Sequence, residues 1–544
     1  MGPVCRTAVH FASARNYSIR SKTQLSRVTV HFLRYTGEAG CVKSCGDGAF
    51  EVFKRARMRF NMWASMEGMV AHIEGECRQQ RLLFAPSLDE QVGSEHAVRV
   101  IDAVVDGLDL AALGFSKVTA EATGRPPYQP GDLLKLYVYG YLNQVRSSRR
   151  LEREAVRNLE VLWLIRRLAP SFKTIADFRR DHPAAIVGVC RAFVRFCREQ
   201  ALYGGELLAI DGTKIAAVAS RKKVITAKIL EKKLTALDAK IAEYLAAMDA
   251  ADRVEAAPAE PGDVATALAA LQAKRQALQE QAAGLAADGL AQRVAGEADA
   301  KLMRTARHGH QVAYNAQTAV DAKHGLIAAF ELTNHGNDHQ LLLPMAAQGK
   351  QALAAEAVTV VADTGYANGE QGQACAEADI IAVVPRPITA NPKDDGLFSR
   401  DAFTYDAASD SWTCPAGQTL VRHTRSGKTP ITQYATKACV NCALKPRCTK
   451  SAGRVITRDR YEDARQAMHQ RALDDPRWMQ RRRELAEHPF GIMKWMMGHP
   501  RFLVRGLPKA RSELALVVLG FNLKRAIAVR GIPALLGALR AAAA

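Results

Sequence analysis

Two short apolar segments, each followed by an aspartate, constrain the fold of this 544-residue chain most strongly. They read LLAID (207–211) and VTVVAD (358–363), and their aliphatic and β-branched residues are typical of buried strands. The neighbouring runs alternate in type, with strands predicted at 311–332 and 380–385 and helices at 335–353 and 370–378. This alternation predicts an α/β fold in which helices flank a mixed sheet.

Helical periodicity dominates the regions before and between these segments. Four helices are predicted in an N-terminal helical domain, at 133–145, 146–168, 172–182 and 186–203. Residues 228–248 and 264–303 are rich in Ala, Leu, Lys, Glu and Gln, and AAPAEPGD (256–263) separates them. They predict an antiparallel helical hairpin inserted between the two aspartates.

The net charge of +20 points to a polyanionic partner, usually nucleic acid. No segment reaches the ~20 apolar residues of a membrane helix, so no membrane partner is predicted. Eleven cysteines in a chain of this length do not form a disulfide framework and favour a reducing, cytoplasmic compartment.

A basic helix face within 146–168 is the candidate DNA contact. Its arginines are Arg146, Arg149, Arg150, Arg153 and Arg157. Such a face could follow the phosphates of a DNA backbone. The alternative is a solvated helix face with intrahelical pairs to Glu152 and Glu154.

A third carboxylate, Glu487, lies in the charged helical segment RRRELAEHPFGIMK (481–494). With Asp211 and Asp363 it makes a set of hard oxygen ligands suited to Mg²⁺ or Mn²⁺, with two ions able to act on one phosphate. Arg483 and Lys494, four residues before and seven after Glu487, share its predicted helix face.

Four cysteines form the other candidate metal site. Cys414, Cys439, Cys442 and Cys448 have the spacing C-x24-C-x2-C-x5-C, which suits a structural Zn²⁺ ion. The alternative is four reduced cysteines near the surface. Cys190 and Cys197, seven residues apart on one helix, are predicted to pack in the core.

The chain resembles the DDE transposases of bacterial insertion sequences over roughly residues 77–530. The resemblance rests on RPPYQP to FRRDH (125–182), IDGTKI, DAKLM, YNAQTAVDAKHGLI, VVADTGYANG, EHPFGIMKWMMG and the terminal helical segment at 505–527. It implies a ribonuclease-H-like core in which Asp211, Asp363 and Glu487 are the catalytic acids, supported by Arg483 and Lys494. Gln480 stands where the family motif has tyrosine.

The resemblance also implies the activity: metal-dependent cleavage and transfer of double-stranded DNA at terminal inverted repeats, into target DNA, by a homodimer close to the nucleoid. Two other functions stay open from the residues. One is an inactive DNA-binding remnant, and the other is a nuclease with the same core.

The predicted domain organisation follows from these segments. It comprises an extension that is disordered or not native (1–57), a helical DNA-binding domain (58–204), a catalytic core (205–222, 304–385 and 466–530), a helical hairpin (223–303), a cysteine-containing insertion (386–465) and an Ala-rich tail (531–544).

Overall fold

The computed structural model describes residues 86–119, 126–253, 261–305, 309–387, 396–423, 431–498 and 500–543. The predicted extension at 1–57 and the start of the predicted helical domain, up to residue 85, lie outside the described residues. Within the described part, no helix is long and apolar enough to cross a membrane.

Helices make up most of the described chain. In chain order they are α1 (Leu88–Gln91), α2 (Ala97–Asp106), α3 (Pro130–Leu142), α4 (Ser148–Arg157), α5 (Leu159–Leu164), α6 (Phe172–Asp181), α7 (Pro183–Glu199), α8 (Ala227–Arg253), α9 (Pro261–Ala287), α10 (Leu342–Leu353), α11 (Gly369–Glu377), α12 (Glu462–Asp474), α13 (Arg477–Met496), α14 (Leu507–Arg530) and α15 (Ile532–Ala543).

The strands form three sheets. They are β1 (Leu207–Ala216), β2 (Val224–Ile225), β3 (Arg293–Val294), β4 (Lys301–Thr305), β5 (Gly309–Asp321), β6 (Ile327–Thr333), β7 (Val358–Val361), β8 (Ile380–Val383), β9 (Thr404–Asp406), β10 (Ser411–Thr413), β11 (Thr419–Arg422), β12 (Ile431–Ala435) and β13 (Val455–Asp459).

The central sheet has the strand order β6-β5-β1-β7-β8, and β4 pairs with the first part of β5. Strands β1, β5 and β6 are antiparallel neighbours, whereas β7 and β8 run parallel to β1. Buried helices cover the sheet, so the prediction of a mixed α/β fold flanked by helices is confirmed.

The parallel pairing of β1 with β7 sets the position of the two aspartates. Ala209 lies opposite Val361 in the register. Asp211 and Asp363 each come two residues later, so they emerge side by side on the same face of the sheet. Asp363 follows the end of β7, as predicted. Asp211 lies inside β1, which continues to Ala216 along β5, so the prediction that it ends a strand is wrong.

Helix α14 is the centre of the helical packing. Its residues from Leu514 to Leu523 are all buried, which is typical of a helix with neighbours on every side. It packs against α3, α7 and β6 and thereby joins the helical domain to the sheet. Cys190 and Cys197 of α7 are buried in the same core, as predicted.

In the helical domain, the predicted helix at 146–168 is interrupted. The segment 146–168 forms two helices, α4 and α5, because Asn158 adopts an extended conformation and its side chain accepts the N–H groups of Glu160 and Val161. This side-chain cap begins a new helix where apolar periodicity alone predicts continuation.

The helical hairpin is formed by α8 and α9, which pack on each other. Asp238 and Arg275 form an ion pair of 2.6 Å between them. The second helix ends at Ala287, not at residue 303, because Arg293 pairs with Ile225 to close the base and the segment from Lys301 joins the central sheet as β4.

A small five-stranded sheet, β9 to β13 in sequential order, lies between β8 and α12 in the chain. Its own core contains Phe403, Trp412, Leu420, Tyr434 and Ile456. Alternating side chains on these short antiparallel strands supply that core independently of the central sheet.

Candidate active site

Asp211 is a largely buried carboxylate on β1. Its side chain is 14% exposed, and its Oδ1 accepts the N–H of Gly212 at 2.7 Å. Burial raises the pKa of Asp211 to about 6, and repulsion from Asp363 acts in the same direction. The nearby Arg482 guanidinium opposes this rise but does not cancel it.

Asp363 caps a short 3-10 turn, Thr364–Tyr366, that follows β7 directly. Its Oδ1 accepts the N–H of Gly365 at 2.8 Å, so the turn fixes the side chain at the edge of the sheet. The Asp363 side chain is 43% exposed and therefore faces solvent more than that of Asp211.

Glu487 reaches the same place from α13. Leu485 and Ala486 of this helix are buried with Ala209 of β1 and Val361 of β7, which fixes the helix across the two aspartate-bearing strands. Glu487 itself is 65% exposed. Pro489, two residues later, has no N–H to offer to the carbonyl of Leu485.

Arg482 joins the three carboxylates. Its Nη2 lies 2.7 Å from Asp211 Oδ2 and 3.5 Å from Asp363 Oδ2, and its Nη1 lies 3.9 Å from Glu487 Oε1. The guanidinium is mostly buried, and its Nε has no hydrogen-bond partner among the described residues. One cation therefore neutralises part of the charge of three acids that come from separate parts of the chain.

The structure brings Arg482, and not the predicted Arg483, to the carboxylates. Arg483 is exposed and its Nε donates to the carbonyl of Met479 at 3.4 Å. The predictive signal is the phase of the helix. Of the three consecutive arginines, only Arg482 lies both three residues before buried Leu485 and four residues before buried Ala486, so it shares the face of both.

Gln480, at the family's tyrosine position, donates to Glu484 Oε1 at 3.0 Å on the exposed side of α13. Lys494, the second predicted supporting residue, is half-buried near the end of the same helix.

The donor chemistry of the three carboxylates fits a hard divalent cation such as Mg²⁺. That a cationic group already lies among them shows that the cluster accommodates positive charge. As they stand, no three Asp, Glu, His or Cys side chains of the described residues are close enough together to share one metal ion. The carboxylates would hold a metal only after Arg482 moves away.

A buried polar network lies behind the aspartates. Gln317 of β5 donates to Asp338 Oδ1 at 2.8 Å and accepts a hydrogen bond from Tyr366. Asn315 also donates to Asp338 Oδ1, at 2.7 Å, and Lys214 lies 3.3 Å from its other oxygen. These contacts link β1, β5 and the turn after β7, and so they fix the two aspartates relative to each other.

Sequence reasoning missed the role of Asp338, which falls within the helix predicted at 335–353. Helix α10 begins only at Leu342, and Asp338 lies in the preceding loop. Gly212 is also required here, because a Cβ at this position would overlap the Gln317 amide. Its place directly after Asp211 is the signal that could have revealed a close approach.

Two family models match the chain. A model described as "Transposase DDE domain" matches residues 413–527, which include Glu487 and Arg482. A model described as "Transposase domain (DUF772)" matches residues 86–181, which lie in the helical domain. Asp211 and Asp363 fall between the two matched segments.

Together the two matches support an insertion-sequence DDE transposase.

No curated protein matches this transposase. Among solved structures, it is similar to "Cryo-EM structure of piggyBac transposase synaptic complex with hairpin DNA (SNHP)". The identity is 9%, the TM-score is 0.31, and the match covers 82% of this chain and 79% of that one.

The basic face of the transposase differs from the prediction at Arg146. This side chain is 7% exposed, and its Nη1 pairs with buried Glu513 at 2.9 Å and donates to the carbonyl of Arg501 at 3.0 Å. Arg146 therefore connects the helical domain to α14 and cannot also follow a DNA backbone.

The other four arginines of the predicted face, Arg149, Arg150, Arg153 and Arg157, are exposed on α4. Arg157 pairs with Glu154 at 2.5 Å, as the alternative of intrahelical pairs predicts. Arg149 lies over the ring of Phe172 at 4.8 Å. The guanidinium charges remain at the surface, where a polyanion can reach them.

The four candidate zinc cysteines of the transposase line one small cavity of about 20 Å³. They come from the loop after β10 and from the two short 3-10 turns between β12 and β13. Burial raises the pKa of Cys448, and the neighbouring cysteines add to the rise. Thiol sulfurs around a space of this size suit a single ion, although their present arrangement is not a complete ligand set.

Proposed function

We propose that this transposase binds the ends of its own insertion sequence and catalyses metal-dependent cleavage and transfer of DNA strands there. The observation that carries the proposal is the meeting of Asp211, Asp363 and Glu487 around the Arg482 guanidinium. Three acids gathered from two adjacent strands and a helix match the donor set required for phosphoryl transfer on DNA.

The strand order supports a ribonuclease-H-like catalytic core. Three antiparallel strands, β1, β5 and β6, are followed by β7 and β8, which extend the sheet on the other side of β1 and run parallel to it. In this arrangement the first and fourth strands of the core, β1 and β7, are neighbours, and the two aspartates lie side by side on one face of the sheet.

The chain's own residues prepare the site. Asp211, Asp363 and Glu487 would hold Mg²⁺ or Mn²⁺, two ions in the proposed active form, and such ions activate an attacking water or hydroxyl and stabilise the leaving oxygen. The Gly212 and Gly365 N–H groups orient the two aspartates. Arg482 offsets the repulsion among the acids and so keeps them assembled.

DNA binding is proposed for the exposed face of α4. Arg149, Arg150, Arg153 and Arg157 project from one short helix, and the surplus of positive charge on the chain favours contact with phosphates. Pairing two element ends would require two copies of the chain, so the proposed active form is a homodimer at the nucleoid in the cytoplasm.

A structural zinc ion is proposed for the cysteine cavity, which Cys414, Cys439, Cys442 and Cys448 line. The ion would join β10 to the β12–β13 connection within a small sheet whose core has few residues. The support is the convergence of all four predicted thiols on one small space.

The test is Asp211→Asn, assayed on duplex DNA taken from the two flanks of the gene. We expect the variant to keep DNA binding and to lose Mg²⁺-dependent cleavage by at least about a hundredfold, since a ligand carboxylate is replaced by a neutral amide. The readouts are gel analysis of cleaved and joined products and fluorescence anisotropy for binding.

Asp379→Asn is the matched control. Asp379 is exposed at the opposite edge of the sheet and adopts a positive φ that asparagine tolerates. It should cleave like the parent. If Asp211→Asn cleaves at the parental rate, the assignment of the site is wrong. Cleavage without joined products would indicate a nuclease, and binding by the parent without cleavage would indicate an inactive remnant.

A further inference from the structure

A cavity of about 310 Å³ lies between α7, β6 and α10, and three arginines of α7 line it. They are Arg191, Arg195 and Arg198. The other walls include Gln348 and Gln351 of α10 and the strand residues 328–330. Among the described residues, no acidic side chain lines this space, which we call the arginine cavity.

The sequence of α7 places the three guanidinium groups together. Arg191, Arg195 and Arg198 follow each other at intervals of four and three residues and therefore share one helix face. The opposite face is buried in the core through Cys190, Phe193 and other apolar side chains. The arginines consequently cannot disperse around the helix, and their charges are concentrated at the cavity.

The charge of these arginines is not neutralised within the described part of the chain. Arg191 and Arg195 form no hydrogen bond or ion pair with any described residue, and both are exposed. Arg198 donates from Nη1 to the carbonyl of Ala352 at 3.2 Å, a neutral acceptor that anchors the side chain to α10. Three neighbouring cations repel each other until an anion binds between them.

The arginine cavity is separate from the carboxylate site. It shares no residue with that site, and β6 is the outermost strand of the order β6-β5-β1-β7. Strands lie about 4.8 Å apart, so roughly 10 Å of sheet separate β6 from the strand that carries Asp211. An anion in the cavity would therefore not be the phosphate that reacts.

We infer that the arginine cavity binds phosphate groups. Guanidinium groups pair with phosphate oxygens through two parallel N–H bonds, and the Gln348 and Gln351 amides add uncharged donors at the cavity wall. Two sources present this chemistry: a backbone phosphate of duplex DNA and a free phosphate compound. Binding of a DNA phosphate in the cavity rests on the proposed function, whereas binding of a free phosphate compound does not.

The test compares two double variants of the full chain in the absence of divalent metal. One is Arg191→Gln with Arg195→Gln, and the control is Lys232→Gln with Lys233→Gln, which removes two equally exposed charges from α8. All four residues lie at the surface, so both variants should unfold at the parental temperature. Both variants remove two positive charges. A difference between them therefore reports a local phosphate site and not the general attraction of a basic protein for anions.

The first arm measures pyrophosphate binding by isothermal titration calorimetry at constant ionic strength. We expect the arginine variant to lose about tenfold or more in affinity, because charge-assisted hydrogen bonds are removed. The lysine control should stay within about twofold of the parent. Equal affinities for the two variants and the parent would overturn the inference.

The second arm identifies the source. Binding of unrelated duplex DNA is measured by fluorescence anisotropy over a range of salt concentrations, and each phosphate contact contributes about 0.9 to the slope. A slope reduced by about one to two beyond that of the control assigns the cavity to a DNA backbone. An unchanged slope with lost pyrophosphate binding assigns it to a free phosphate compound. Neither arm depends on DNA cleavage, so a failure of the proposed catalytic site would not affect either result.

Discussion

Arg482 holds a position that two kinds of cation could occupy. Its guanidinium contacts Asp211 and Asp363 at 2.7 and 3.5 Å, where a divalent ion bound by the same oxygens would also lie. Because one site cannot hold both cations, Arg482 and a metal ion compete for the carboxylates. Arg482 therefore stabilises the metal-free protein and weakens metal binding.

Replacement of Arg482 by glutamine tests this competition. We expect Arg482→Gln to lower the free energy of unfolding in EDTA by about 1–3 kcal/mol, since mostly buried Asp211 loses its cationic partner. We also expect tighter Mn²⁺ binding, measured by electron paramagnetic resonance titration. Mn²⁺ should restore most of the lost stability.

Arg483→Gln is the control from the same helix, because Arg483 is exposed and donates a hydrogen bond to the Met479 carbonyl rather than to the carboxylates. It should match the parent in both measurements. Weaker Mn²⁺ binding by Arg482→Gln than by the parent would contradict the competition and would make Arg482 an aid to metal binding.

At the scale of helices and strands, the sequence pattern predicted the ends of those elements that are determined by nearby residues. The strands β7 and β8 and the helices α6 and α7 begin and end close to the predicted residues, since apolar period and Pro or Gly boundaries define them. The break at Asn158 and the strand β4 were missed. The first depends on one side-chain cap, and the second on pairing with β5.

In the candidate site, too, some residues could be selected from the sequence and others could not. The three acids could be selected from the sequence because each follows or lies within a recognisable element. The roles of Arg482 and Asp338 could not, because they depend on which elements pack together: α13 across β1, and the loop before α10 against β5. Long-range packing of this kind leaves only a weak trace in the local pattern, such as the phase of α13.

The Arg146–Glu513 ion pair connects the loop before α4 to α14 in the core. Glu513 is fully buried in α14, and its Oε2 also accepts the N–H of Leu503 at 2.8 Å. We expect Glu513→Ala to reduce the free energy of unfolding by about 3–5 kcal/mol, since it removes the carboxylate that pairs with the buried Arg146 charge. Urea denaturation measures the change.

A double-mutant cycle separates the pair from its surroundings. The Arg146→Met and Glu513→Ala double variant should lose less stability than the sum of the two single changes, because the Arg146 charge is removed together with the carboxylate that pairs with it. Additive losses would show that the two side chains act independently. Arg153→Met, on the exposed side of α4, provides the control for removal of an arginine and should be nearly neutral.

On the scale of the whole molecule, the helical hairpin is attached at its base and projects beyond the core. Leu230, Leu237 and Leu285 are buried at the base, near the β2–β3 pair. Beyond Leu237, none of the described side chains of α8 is buried, and Leu285 is the only buried one described in α9. The outer half therefore adds little buried apolar surface to the fold.

Shortening the hairpin tests whether its outer half contributes to the stability of the fold. Replacing residues 242–271 by a five-residue Gly/Ser loop keeps the Asp238–Arg275 ion pair and the three buried leucines, and joins two antiparallel helices at neighbouring turns. We expect the shortened chain to unfold cooperatively within about 3 °C of the parent, measured by circular dichroism. Mn²⁺ binding at the carboxylates should be unchanged, since no hairpin residue contacts Asp211, Asp363, Glu487 or Arg482 within the described residues.

A large loss of stability would show that the outer half of the hairpin packs on the core. Loss of DNA joining alone would assign the outer half to contact with a partner.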